Sequence, residues 1–189
     1  MFNQDLGISE SSRKILGRFS IAARAIWVDR SLEVDSPRWR FTLAHELGHL
    51  VLHRSMKLAS SDAATREGDI ADTDVEIDSL ETQPQRPRDW IEWQANKFAA
   101  SLLMPRFPLR QGTIAAMERI GIDRLTHRIF VDNQACNVEA YGKALAMVAE
   151  TFRCSRQATE IRLKELDLIY DVRQRSQGHM TALFGEEST

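Results

Sequence analysis

The stretch from Arg40 to His53 constrains this chain more than any other, because it carries His-Glu-x-x-His inside an apolar, helix-compatible run. On a helix of 3.6 residues per turn, His45 and His49 lie on one side, one turn apart. Two imidazoles at that spacing can hold one Zn²⁺, and Glu46 can then reach a water on the same metal. The stretch predicts a metal-dependent hydrolytic site in which Glu46 is the general base.

The same pattern has a simpler interpretation, an ordinary buried helix whose two histidines are satisfied by hydrogen bonds. The apolar flanks and a candidate third ligand downstream favour the zinc site over this alternative. The helix is expected over residues 37–54, with Ser36 as its cap and Pro37 at the first helical position. Gly48, in mid-helix, indicates close approach of another backbone or of a substrate, or tight helix packing.

A second amphipathic helix is expected from Asp89 to Met104, and it offers the third ligand. Glu92 lies at the edge of the apolar stripe, where a metal ion would make the burial of a carboxylate tolerable. Zinc hydrolases commonly use two histidines and one carboxylate. Asp89 is the expected N-cap of this helix, and the alternative for Glu92 is that it completes a capping box with Asp89. Carboxylates of the acidic insertion described below also compete for the third position.

Two polar residues are expected to act around the ligands without binding the metal. Asn96, one turn after Glu92, suits the orientation of a ligand imidazole through its amide oxygen. The alternative for Asn96 is an exposed amide on the helix surface. His53 follows His49 by one turn, but a straight helix cannot bring three successive turns onto one small ion. His53 is therefore expected beside the ligands or in the core.

Residues 55–88 form a long acidic insertion between the two helices. We expect a solvated loop with a strand at 74–77, and the functional alternative is a lid or a partner-docking segment. Upstream, the apolar patterns predict a short helix over 8–19 and a strand over 25–28 paired in a hairpin with 29–35.

Downstream of the second helix, helical pieces are expected at 114–120 and 125–131. In the last third of the chain, the sequence predicts helices over 140–152 and 156–166, and Ser155 is expected to cap the second. Two helices joined by a tight turn resemble a helix-turn-helix motif. Its basic and acidic residues nearly balance, which favours packing over DNA binding and makes nucleic acid the less favoured partner. Salt-dependent duplex binding would favour the DNA interpretation.

Size and charge describe an ordinary globular chain. The 189 residues allow one domain, or one with a small appendage. A net charge of −2 gives no general attraction to nucleic acid or acidic membranes. Cys136 and Cys154 do not suggest a disulfide framework. The N-terminus lacks the apolar core of a signal peptide, and no run approaches the roughly 18 apolar residues of a membrane span. A cytoplasmic protein that does not bind membranes is expected.

Two segments in this order, Arg40–His53 and Glu92–Pro105, resemble the ImmA/IrrE family of zinc-dependent metallopeptidases. Phe152–Leu168 resembles the helix-turn-helix-like region that follows in that family. Members of the family are bacterial or phage proteins, and known ones cut helix-turn-helix repressors and release stress-response or mobile-element genes. The chain departs from the family pattern in its short N-terminal region and its long acidic insertion.

The resemblance implies roles for individual residues. His45, His49 and Glu92 would be the zinc ligands, and Glu46 would be the general base. One Zn²⁺ is the expected cofactor, although two imidazoles and one carboxylate also suit Mn²⁺ or another divalent ion.

The expected fold is α+β and predominantly helical. A zincin-like metallopeptidase domain with a small sheet would cover residues 1–135, and a helix-turn-helix-like helical region packed on it would cover 136–189. The expected function is regulated, site-specific cleavage of a helix-turn-helix repressor of the XRE type. The alternative is a non-catalytic regulator or toxin–antitoxin component that binds a transcription factor. The presence of Glu46 argues against that alternative, because a structural zinc does not need it.

Overall fold

A computed structural model describes residues 2–8, 14–20, 23, 25–53, 69–73, 87–122 and 127–173. The fold is α+β and predominantly helical, as predicted. In the described ranges, no helix is long and apolar enough to cross a membrane. The elements in chain order are β1 (Phe2–Gln4), β2 (Ile15–Ser20), β3 (Ala25–Asp29), α1 (Pro37–Leu52), β4 (Asp69–Thr73), α2 (Pro87–Leu103), α3 (Arg106–Arg119), β5 (Ile129–Val131), α4 (Ala135–Phe152), α5 (Arg156–Glu165) and β6 (Ile169–Asp171).

The chain divides into two compact units. The first contains Met1–Pro105 and Arg153–Ala158, and the second contains Arg106–Phe152 and Thr159–Thr189. The metallopeptidase domain expected over 1–135 and the helical region expected to pack on it over 136–189 stay a prediction.

A four-stranded sheet forms one side of the first unit, in the order β1-β3-β2-β4. β1 is parallel to β3, whereas β2 is antiparallel to both β3 and β4. Helix α1 packs against β2 and β3, and α2 packs against α1. Leu16, Val28, Leu32 and Trp39 are buried together and join the sheet to α1. The sheet therefore supports the helix that carries the histidines.

The N-terminal predictions are partly wrong. The strand predicted over 25–28 is confirmed as β3, but the helix predicted over 8–19 is wrong where the structure describes it, because 15–20 form β2. Their apolar residues fit a helix or a strand, and hydrogen bonding to β3 and β4 decides for the strand. The hairpin partner of β3 is β2 and not 29–35, which turns toward α1.

Helix α1 begins where the sequence predicted. Ser36 is its N-cap, and its hydroxyl accepts a hydrogen bond from the Trp39 N–H at 3.3 Å. In mid-helix, a Cβ added to Gly48 would lie 3.2 Å from the Cα of Ala95 on α2. The predicted close approach at Gly48 is thus an approach of the α2 backbone, and it brings α1 and α2 together.

Helix α2 begins at Pro87, two residues before the cap predicted at Asp89. Asp89 lies inside the first turn, where a carboxylate interacts favourably with the helix dipole. The structure thus contradicts the cap. The strand predicted at 74–77 and the insertion, apart from β4 and the start of α2, lie outside the described residues.

In the second unit, α3 packs against α4, and β5 pairs in parallel with β6. The helix predicted over 125–131 is wrong at 129–131, which form β5, because Ile129 and Val131 alternate as buried residues around exposed Phe130. The helices predicted over 140–152 and 156–166 are confirmed as α4 and α5. Ser155 caps α5, accepting from the Ala158 N–H at 3.1 Å.

Candidate metal centre

Helix α1 turns one face toward the sheet and α2, and this face carries His45, Glu46 and His49. All three side chains are buried, with at most 1% of each residue exposed. The Nε2 atoms of His45 and His49 are 2.9 Å apart, so both rings point at one place. Phe19 of β2 stacks on the His49 ring, with 5.4 Å between centroids and 7° between planes. Packing on the sheet thereby restrains the ring.

Helix α2 brings Glu92 to the same place. One oxygen of its carboxylate, Oε2, lies 3.3 Å from the Nε2 of His45 and 3.3 Å from that of His49. The capping-box alternative for Glu92 is not supported, because Asp89 is not the N-cap. The ligand-type atoms of His45, His49 and Glu92 all lie within 4.8 Å of one another.

The His45 ring is oriented from α2. Its Nδ1 lies 2.7 Å from the Oδ1 of Asn96, and both residues are buried. An amide oxygen only accepts, so Nδ1 carries the proton and donates it to Asn96. The Nε2 of a neutral His45 then keeps its lone pair for the shared point. Asn96 is a buried partner of His45, and the exposed-amide alternative is wrong.

The His49 ring is oriented through a longer chain of hydrogen bonds. The Nε2 of His53 lies 2.9 Å from the Oε1 of Gln94, and its Nδ1 lies 3.1 Å from the Nδ1 of His49. Since Gln94 Oε1 only accepts, a neutral His53 donates from Nε2 and accepts at Nδ1. His49 therefore donates from Nδ1 and keeps a lone pair on Nε2. Gln94 thus controls the tautomer of His49 through His53.

Burial and neighbouring groups also influence the protonation of His49 and Glu92. Burial lowers the pKa of His49 below its ordinary value, which keeps this imidazole neutral near pH 7. Burial alone would raise the pKa of Glu92, but the neighbouring imidazoles of His45 and His49 hold that pKa well below its ordinary range. His49 is therefore neutral and Glu92 ionised near pH 7.

Glu46 lies on α1 beside these groups, and β2 leaves space for it at Gly17. A Cβ built on Gly17 would overlap a Glu46 carboxylate oxygen and lie 2.8 Å from Thr42 Cγ2. The backbone of Gly17 is fixed by pairing with Val28 on one side and Asp72 on the other. Only glycine leaves room for the carboxylate at this point of the sheet.

The family comparison agrees with this geometry. Residues 10–164 match the peptidase family M78, described as the IrrE N-terminal-like domain. The chain belongs to this family. No curated protein matches the sequence at a significant level. Family membership and the His45, His49 and Glu92 cluster together indicate a metallopeptidase fold with a site that could hold a metal ion.

The donor set fits a divalent cation of the zinc type. Three electron-pair donors converge, two imidazole nitrogens and one carboxylate oxygen, and their lone pairs would repel one another without a positive charge between them. His45 and His49 each have the other ring nitrogen engaged as a donor, as metal-binding histidines usually do. The residues of α1 and α2 are therefore already arranged for the ion.

The sequence did not predict the contributions of Gln94 and Gly17. Gln94 lies on α2, 41 residues from His53, and its amide has no sequence signal that distinguishes it from a surface glutamine. Gly17 lies in a segment that had been predicted as helix. The second ring nitrogen of a metal-binding histidine usually has a hydrogen-bond partner, so the sequence indicates that such partners exist. It does not indicate which residues they are.

Proposed function

We propose that this chain is a zinc-dependent peptidase that cleaves a helix-turn-helix transcriptional repressor at a specific site. The observation that carries the peptidase proposal is the convergence of His45, His49 and Glu92 beside buried Glu46, in a chain of a peptidase family. The repressor substrate rests on the resemblance of the two helical motifs to the ImmA/IrrE family and on the charge of the insertion.

The residues of α1 and α2 would have two different roles, metal binding and orientation of the metal-binding rings. His45, His49 and Glu92 would hold the ion, while Asn96 and the Gln94–His53 pair would keep the two rings in the tautomer and direction that binding requires. A bound Zn²⁺ supplies Lewis-acid chemistry, polarising a peptide carbonyl and making water a stronger nucleophile. Because the rings are already oriented, little reorganisation accompanies binding or reaction.

Glu46 would move the proton. It follows His45 directly, its carboxylate is buried, and Gly17 leaves the space in which that carboxylate lies. A carboxylate at this position can take the proton of the attacking water and later deliver it to the leaving amine. The same buried position would leave Glu46 few alternative conformations, which keeps it near the reacting atoms.

The substrate would bind as an added strand. Among the described strands, β4 ends the sheet on the side of β2, and none of them pairs with its outer edge, where an extended peptide could add as a strand. Asp72 of β4 pairs with Gly17, so this edge is one strand away from the residue that contacts Glu46. A peptide on that edge would run beside the metal centre.

The charge of the insertion favours a basic substrate. Residues 55–88, which contain β4, have eight acidic and four basic side chains, whereas the whole chain has a net charge of −2. DNA-binding repressors carry basic surfaces that contact phosphates. Attraction between the two would raise the association rate and fall with salt.

The decisive experiment compares wild type, Glu46→Gln and Glu92→Ala. Each purified protein, loaded with zinc, is analysed for metal content and incubated with a bacterial proteome whose new N-termini are then labelled and sequenced. We expect near-stoichiometric zinc in wild type and Glu46→Gln, and loss of zinc in Glu92→Ala. New termini should form only with wild type, with a rate loss of at least about 10²-fold in Glu46→Gln.

Each result has a defined meaning. If the same termini form with Glu46→Gln, the assigned mechanism is wrong. If wild type binds zinc and cuts nothing, the non-catalytic alternative replaces the peptidase. If the cleaved proteins contain no helix-turn-helix repressor, the peptidase stands and the substrate class is wrong.

A further inference from the structure

The second unit contains a pocket of about 340 Å³ that the peptidase chemistry does not use. Arg106 and Arg110 of α3 form one wall. Arg128, just before β5, and Asp167 and Leu168, just after α5, form the others. We call this the arginine pocket. None of its residues belongs to the metal centre.

The arginine pocket has an excess of positive charge. Three guanidinium groups face a single carboxylate, and that carboxylate, on Asp167, pairs with Arg128. Within the described part of the chain, Arg106 and Arg110 have no ion-pair partner. They are one helical turn apart, and like charges at that spacing repel each other.

The first turn of α3 adds to this potential. It contains no acidic residue, and Arg106 is its first residue. A cation at the positive end of a helix dipole is unfavourable, and an anion bound there would be favourable. The repulsion between the arginines and the uncompensated dipole therefore both favour occupation of the pocket by an anion.

We propose that the arginine pocket binds the phosphate group of a small phosphorylated molecule. Guanidinium forks match phosphate oxygens in pairs, and three of them around one pocket suit a doubly charged group. A volume of 340 Å³ lies at the lower end of small-molecule sites, so a phosphate with a small organic body would fit. Leu168, 6% exposed, would contact the carbon part.

A small molecule fits better than duplex DNA. DNA needs a row of basic groups along a surface, whereas these arginines converge on one concavity. On α5, two of the three basic side chains are engaged with carboxylates, Arg162 with Glu165 at 3.0 Å and Lys164 with Glu160 at 3.0 Å. These two groups therefore do not extend the pocket into a phosphate track.

The test uses the full chain with inorganic phosphate and pyrophosphate as probes. Thermal unfolding and calorimetric titration are measured at constant ionic strength, with sodium chloride as the reference. We expect pyrophosphate to raise Tm beyond the chloride reference and to bind more tightly than phosphate. The double variant Arg106→Gln/Arg110→Gln should bind at least about tenfold more weakly.

Two further variants make the result specific. Arg119→Gln removes an exposed arginine from the other end of the same helix and should leave binding unchanged. Asp167→Asn removes the only described carboxylate of the pocket and should tighten binding several-fold. A gain of affinity cannot come from misfolding, so this variant decides even if the double variant fails to fold.

The proposal is overturned by any of three results: if pyrophosphate stabilises the chain no more than chloride does, if Arg119→Gln weakens binding as much as the double variant, or if Asp167→Asn leaves the affinity unchanged. If duplex DNA competes with pyrophosphate and binds more tightly, through the same two arginines, the pocket is part of a nucleic-acid surface instead.

Discussion

The metal centre and the arginine pocket both gather charged or polar side chains, but they do so in opposite ways. In the metal centre, His45, His49 and His53 are nearly fully buried, and each ring nitrogen has a defined partner. In the arginine pocket, Arg106 and Arg110 are exposed and face a like charge. Burial strengthens each hydrogen bond of the metal centre and makes its loss costly, whereas water screens the charges of the arginine pocket.

The largest difference in cleavage rate is expected between a methyl group added at Gly17, beside the metal centre, and one added at Gly112, on the helix that carries two arginines of the pocket. Gly17→Ala must displace Glu46, because the strand backbone cannot move away. We expect zinc to stay bound and cleavage to slow by about 10²-fold or more, as for a misplaced catalytic group. In Gly112→Ala, the new Cβ meets only the edge of the Phe152 ring at 2.9 Å, and cleavage should be unchanged.

Cleavage rate, zinc content and Tm are measured for both alanine variants. If Gly17→Ala cleaves like wild type, the space at Gly17 is not needed to position Glu46. If it loses zinc as well, Gly17 supports the whole centre and not Glu46 alone.

A smaller difference, in zinc affinity, is expected between substitutions of Gln94 on α2 and of Gln111 on α3. Gln94→Leu removes the acceptor of His53 Nε2, so His53 can move its proton to Nδ1 and no longer accepts from His49. Zinc affinity, measured by competition with a chromophoric chelator, should fall about 10–100-fold, as for other partners of metal ligands. Gln94→Glu keeps an acceptor and should retain most of the affinity.

Gln111→Leu, on the exposed surface of α3, is the matched control and should bind zinc like wild type. Equal zinc affinity for wild type and Gln94→Leu would show that the hydrogen-bond chain ends at His53. Both measurements are independent of any substrate.

The smallest difference is expected between a buried aspartate of the sheet that supports the metal centre and the exposed aspartate of the arginine pocket. Asp29 is fully buried, and its carboxylate accepts from the Leu6 and Ser31 N–H groups and from Lys14. Asp29→Asn should lower the free energy of unfolding by roughly 1.5 kcal/mol at pH 7. Asp167→Asn changes an exposed ion pair and should cost well under about 1 kcal/mol.

The Asp29 effect should depend on pH. Burial raises the pKa of Asp29, but hydrogen bonds from Leu6, Ser31 and Lys14 lower it more, to well below its ordinary value. A lowered folded-state pKa means that the stabilisation is complete above the unfolded value of about 3.9 and is lost as pH falls toward the folded value. Urea unfolding should therefore give a gap between wild type and Asp29→Asn that narrows below about pH 4, and a constant gap would contradict this.

Local signals were sufficient for helices α1, α2, α4 and α5. Ser36 and Pro37 predicted the start of α1, and the spacing of His45 and His49 predicted that the two imidazoles could meet. These signals act within a few residues of one another, through helical periodicity and capping. The same local reasoning failed for β2, because apolar Ile15, Leu16 and Phe19 suit either period and the deciding partner, β4, lies about fifty residues away.

Long-range contacts accounted for the remaining features of both regions. Gln94 reaches His53 only because Gly48 lets α2 approach α1, and Gly17 receives Glu46 only because β2 packs on that helix. In the second unit, the parallel pairing of β5 and β6 places Arg128 near Asp167. None of these pairs has a spacing that the sequence could reveal.

The sequence by itself determined the metallopeptidase family, the two helices of the centre and the residues able to hold a metal ion, because motif spacing and helical periodicity are local properties. Only the tertiary structure decided which proton each histidine carries, where Glu46 lies, and that three arginines share one pocket. Those features depend on distances between groups far apart in the chain, and packing within each unit sets these distances.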